Sequence, residues 1–201
     1  MAGLSDVSNY LVNLIAGICY PSGASQPSIV SGPVKIYAGW PLPDALDADL
    51  PIGVSHISIW PLPGDKPTTV TMGDSEWQEQ SNNGAVGASI LEVRRQTRKY
   101  QITVWANTPT VRDAVADIID PQLSINNRFI LPDGSQAMMV YVNSSQIDSF
   151  QKQGIYRRDL FFNVNYATTQ ITPVTYAIQH TAANLTMSQS GVAGPTTTLN
   201  N

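Results

Sequence analysis

The sequence is poor in the residues that usually carry chemistry. It has one cysteine, Cys19, so neither an intramolecular disulfide nor a cysteine-based metal site can form, and the chain suits a reducing compartment. Only 13% of residues are charged, about half the usual globular share of roughly 25%, although 42% are hydrophobic. A core of ordinary size is therefore paired with a surface that something other than water partly covers. The net charge of −4 argues against general nucleic-acid affinity, which needs many cations on one face. The longest early apolar run, YLVNLIAGICY, is too short to span a bilayer and has no basic segment before it, so neither a membrane span nor a targeting signal is expected. Glycine-rich phosphate-binding patterns are missing.

With two histidines, His56 and His180, a nucleophile–histidine–carboxylate arrangement has few ways to form. His56 falls mid-strand, where a satisfied structural histidine is the simpler reading, and neither residue has a metal-ligand neighbour at helical spacing. Asp44, Asp47 and Asp49 lack the frame of a calcium loop and read as a helix cap and first-turn acids placed to suit the helix dipole. No catalytic, cofactor-binding or metal residue is predicted, and the chain is not expected to be an enzyme.

What is present is an alternation of clear elements. Ser5 caps a predicted helix whose Val7, Leu11, Leu14, Ile15 and Ile18 recur at helical spacing up to Tyr20. A short strand follows at residues 34–40, then a short helix capped by Asp44, then a strand at residues 54–60 with apolar side chains on both faces. Residues 62–88 are rich in glycine, proline and polar side chains and read as a long loop, functional or held by a partner, with Trp77 as its large anchor. A long strand spans residues 89–107. Thr108 and Pro109 open a second helix with a stripe of Val111, Ala114, Val115, Ile118 and Ile119, which Pro121 is expected to end. A hairpin turns at Pro132-Asp133-Gly134, and residues 155–167 alternate as a final strand. The predicted fold class is α+β, with two helices packed on a mostly antiparallel sheet, in one domain over residues 1–167.

Residues 168–201 carry no Lys, Arg, Asp or Glu. A solvated tail is usually charged or proline-rich; this one instead sets the β-formers Ile171, Val174, Tyr176 and Ile178 among Thr, Asn, Gln and Ser. It reads as an extended arm that another surface orders at little desolvation cost, with a free terminus as the alternative. From Met187 onward, where little can be buried, the free terminus is the simpler reading. Four of the eleven basic residues, Arg94, Arg95, Arg98 and Lys99, sit on one strand. Strand alternation sends Arg94 and Arg98 to one face and Arg95 and Lys99 to the other, so they make no single phosphate-binding patch; Arg157 and Arg158 divide likewise. One member of each pair is a candidate for salt bridges to an adjacent copy.

The segments LSDVSNYLVNLIA, VKIYAGWP with LPDALDADL, RRQTRKYQITVWANTPTVRDAVADIID and QGIYRRDLFFNVNYATT together resemble the small neck and tail-end proteins of long-tailed bacteriophages, the tail terminators most of all. The resemblance covers about residues 4–169 and is architectural. It implies a structural virion protein, assembled in the host cytoplasm, whose copies form a ring at the head-proximal end of the tail tube, sixfold by preference with twelvefold as the alternative. Its partners would be further copies of itself, the tail tube protein and neck or connector proteins, with DNA passing through the lumen without specific binding. The long loop and the arm exceed the simplest members, which leaves collar, stopper or gateway subunits as alternatives. Exposed Trp40, Trp60, Trp77 and Trp105 stacking on sugars is the rival reading, a carbohydrate- or receptor-binding module.

Overall fold

The computed structural model describes residues 3–30, 32–68, 78–82, 86–148 and 153–175. Helix α1 (Leu4–Cys19) buries Val7, Leu11, Ile15 and Cys19, one residue per turn along a single stripe. Its start differs from expectation. Gly3 is the capping position, and Asp6, one turn in, accepts the Gly3 N–H at 2.8 Å, leaving Ser5 exposed within the helix. Strand β1 (Val34–Ala38) leads to helix α2 (Pro43–Asp49). Here too the cap shifts: Leu42 holds the capping position, Pro43 opens the helix with its preset φ, and Asp44 lies in the first turn. A 3₁₀ turn at Leu50–Ile52 closes on Gly53, whose φ of 84° is the left-handed conformation that glycine adopts without strain.

Strand β2 (Ser55–Pro61) runs parallel to β1, and every other pairing in the sheet is antiparallel. Two short strands, β3 (Lys66–Thr68) and β4 (Gln78–Asn82), occupy part of the stretch read as loop, and both pair with β5 (Val86–Ala106). Trp77 lies outside the described residues. Helix α3 (Pro109–Ile125) starts as predicted, with the Thr108 hydroxyl accepting the Val111 N–H at 3.3 Å. It does not stop at Pro121. The ring costs a helix interior roughly 3 kcal/mol, which is offset in part by the burial of Leu123, one turn beyond Ile119 on the core stripe, about 2 kcal/mol. It is offset further by the last-turn bonds from the Ser124 hydroxyl to the Asp120 carbonyl and from the Asn126 N–H and side-chain amide to the Gln122 carbonyl.

Strands β6 (Arg128–Ile130) and β7 (Gln136–Ile147) form the predicted hairpin. Gly134 takes φ 84° and donates to the Leu131 carbonyl, while Asp133 Oδ1 accepts from the Ser135 N–H and hydroxyl. The last strand, β8 (Tyr156–Thr175), pairs with β5 along nearly its whole length, interrupted by one bulge between Glu92 and Arg94.

The strand order is β1-β2-β5-β8-β7-β6. Helices α1 and α3 cover one face, where Ile57 and Ile59 of β2, Tyr100, Ile102 and Val104 of β5, and Leu160, Phe162, Val164 and Tyr166 of β8 meet them in one core. The fold is therefore α+β, two long helices on a mostly antiparallel sheet, with the short α2 on the opposite face against Trp105.

Candidate functional site

The feature that sets this sheet apart is a border that no charge or proline guards, interrupted by one register shift against β8 between Tyr141 and Asn143. β6 covers the outer edge of β7 only through Met138, and the Met139 N–H is taken by the Asn127 carbonyl. From residue 140 to residue 147 no strand among the described residues pairs with that edge. The edge is apolar in its first part, with Val140 50%, Tyr141 42% and Val142 41% exposed, then polar but uncharged at Asn143, Ser144, Ser145 and Gln146, and Gln136–Ile147 contains no Lys, Arg, Asp, Glu or Pro. Solitary proteins protect free edges with such residues, because a bare row of N–H and C=O groups templates further pairing. The opposite border is treated differently. β1 has five residues, one of them Lys35, and the Tyr20 hydroxyl both donates to the Val34 carbonyl (2.9 Å) and accepts its N–H (2.8 Å). That hydroxyl stands in for the first residue of a further strand.

The uncharged segment begins inside the sheet. β8 does not leave at residue 168 but runs to Thr175, with Ile171 opposite Ile90 and Val174 opposite Gly87 of β5. The Thr169 hydroxyl donates to Asp133 in the hairpin turn. Tyr176 and Ile178 lie outside the described residues.

The basic residues are held largely by the chain's own acids. Arg95 makes a two-pronged pair with Glu92 (3.0 and 2.9 Å) and donates to Asn165, while Arg98 donates to the Leu62 carbonyl at 2.8 Å and pairs with Asp65 at 3.1 Å. Lys99 lies 4.4 Å from the centre of the Phe161 ring. Arg158 reaches Asp117 at 2.8 Å and Asp113 at 3.5 Å on α3, and Arg94 is exposed. An intersubunit ion pair through Arg95, Arg98 or Arg158 would compete with these bonds.

The face opposite α1 and α3 carries two polar chains that composition did not disclose. In the first, Asp49 turns inward while Asp44 and Asp47 stay exposed, so the three acids do not meet. Asp49 accepts from Lys35 Nζ (2.5 Å) and from His56 Nε2 (2.9 Å), and Tyr37 bonds His56 Nδ1 at 3.0 Å. With the Nε2 proton given to Asp49, Nδ1 accepts the tyrosine proton. Burial holds the His56 imidazole below its usual range against the pull of Asp49, and the Lys35 hydrogen bond does most to hold Asp49 below the carboxylate range. Burial, aided by Asp49, pushes Tyr37 up to about 12, so its proton stays in place. His56 is 1% exposed, and its ring nitrogens bond Tyr37 of β1 and Asp49 of α2, so it links β1, α2 and β2; the hydroxyl it meets is that of a tyrosine held protonated, not of a serine or threonine.

In the second chain, Arg157 pairs with Asp159 through two bonds, Asp159 also accepts the Thr103 hydroxyl (2.8 Å), and Thr103 accepts from Gln101 (3.1 Å). The guanidinium lies 5.1 Å from the Trp40 ring and 4.9 Å from that of Trp105. Trp105 is buried and donates to Ser58, and Trp40 packs against both Trp60 and Trp105. The three described tryptophans thus form one anchor cluster over β2 and β5. Burial pushes the Cys19 thiol up to about 11, which keeps it protonated and unreactive.

No known protein family matches the chain, and no curated protein does. Among solved structures, a chain from the virion of a native gene transfer agent particle aligns over 80% of this chain and 92% of its own length, with 11% identity and a TM-score of 0.37. Similarity that loose carries no argument about role. No helix among the described residues is long and apolar enough to cross a membrane.

Proposed function

We propose that this chain is a structural subunit of a bacteriophage virion, whose copies assemble edge to edge into a ring at the head-proximal end of the tail and so end tube growth and join tail to neck. The observation that carries the reading is the outer edge of β7, free of charge over residues 140–147 and both apolar and exposed at Val140, Tyr141 and Val142. An edge of this kind is a liability in a monomer and an asset in a closed ring, where every copy covers its neighbour. The low charge content points the same way, since desolvating few ions makes a large buried interface cheaper. Resemblance of four sequence segments to tail terminators supplies the location. A collar, stopper or gateway position uses the same surface and differs only in the proteins above and below.

The ring reading needs neither a catalytic residue nor a cofactor, and DNA would pass a lumen of weakly negative subunits without being held. The test is electron cryo-microscopy of intact particles carrying this chain. Density for a closed ring of it between tail tube and head supports the proposal. Location at the distal tail tip or on a receptor fibre refutes it.

A further inference from the structure

The edge of β7 has a specific occupant within the same sequence: we infer that residues 176 onward of a second copy add to it as a strand. This rests on the ring reading above and assigns its contact.

Acceptor and donor match in character. The acceptor is the outer side of residues 140–147, whose inner side pairs with β8. Alternate N–H and C=O groups there point away from β8, no strand among the described residues takes them, and none of the eight side chains is charged. The donor is twenty-six residues following Thr175, also without Lys, Arg, Asp or Glu, and it opens with Tyr176 and Ile178 at the two-residue period of a strand. Joining them desolvates no ion, while main-chain hydrogen bonds supply the pairing. Arg or Asp on either side would make the same pairing costly.

The path of β8 favours a neighbour over the chain's own edge. β7 begins to pair with β8 at Asn165, and β8 continues ten residues further to Thr175, about 33 Å at strand rise. The chain therefore leaves the described sheet well past the end of β7, and reaching its own 140–147 would require reversing direction and passing β6 and its turn. Fully extended, the remaining residues reach at most about 90 Å, ample for an adjacent subunit. β1 is the poorer acceptor, being short and already closed at Val34 by Tyr20.

Two measurements test this on the full-length chain. Val142→Cys and Ile178→Cys proteins, mixed and mildly oxidised, should give a covalent dimer holding one of each, in greater yield than either protein alone; native Cys19 is buried and stays silent. No mixed dimer, or a doubly substituted protein that closes within a single chain, overturns the inference. Separately, ending the chain after Thr175, or replacing Val140 and Val142 by Lys, should each weaken self-association at least tenfold by sedimentation velocity, with circular dichroism unchanged. Rings that survive either change refute this contact and leave the ring reading standing. A full-length chain that never self-associates refutes the ring reading itself, and this contact with it.

Discussion

Arg157 and Asp159, two residues apart on one face of β8, form a two-pronged ion pair of 2.8 and 2.9 Å whose guanidinium lies near the rings of both Trp40 (5.1 Å) and Trp105 (4.9 Å). Asp159 is 2% exposed and also accepts a hydrogen bond from the Thr103 hydroxyl, so its carboxylate ties β8 to β5 on the sheet face away from the main helices. On that face, these polar bonds stand beside a smaller apolar cluster of Leu46, Leu50 and Trp105, in place of the larger core under α1 and α3.

Removing that carboxylate should strand a largely buried cation. Asp159→Ala is expected to lower unfolding free energy by about 2–4 kcal/mol in urea titrations, because Arg157 and Thr103 lose their acceptor together. A loss under about 1 kcal/mol would mean that solvent readily replaces the pair.

Stability should fall on mild acidification because of His56. Its folded pKa lies below the ordinary 6.5, so as pH drops below that value the unfolded chain takes up a proton that the folded chain refuses, and the balance shifts toward unfolding until pH reaches the folded pKa. Asp49, also held low, acts in the same direction only below its ordinary 3.8. The melting temperature should therefore decline from pH 7 to pH 5, and His56→Gln should flatten that decline. An equal slope in both proteins would contradict the assignment.

Tyr20→Phe should cost about 1–2 kcal/mol, since the Val34 N–H and carbonyl both lose their partner at the β1 border. Differential scanning calorimetry would register this, and the oligomer should be unchanged because β1 is not the joining edge. A change in oligomer mass would show that the β1 border also takes part in assembly.

Much of the scaffold was legible because it depends on local chemistry. The stripe Val7, Leu11, Ile15, the Thr108 cap and the Pro-Asp-Gly turn each follow from the period or conformational preference of a few adjacent residues. The misreadings arose where distant partners decide. Pro121 looks like a stop until Leu123 is seen to be buried, and residues 86–88 and 168–175 look like loop and arm until 86–88 are found paired with 173–175 and 168–172 with 89–94. Asp49 is indistinguishable from Asp44 and Asp47 in the sequence and is set apart only by Lys35 and His56 across the crossover. The open edge of β7 was hidden for a further reason: which strand lies at a border is a property of topology. Its lack of charge over Gln136–Ile147 was the one available signal.

Mass photometry of the purified full-length chain tests most directly whether copies of this protein complete one another. The expected result is a discrete closed species at a fixed multiple of 21.7 kDa, sixfold by preference, persisting on dilution to nanomolar concentration. A single population at 21.7 kDa across all concentrations, or an open-ended ladder of masses without a closed species, would contradict it.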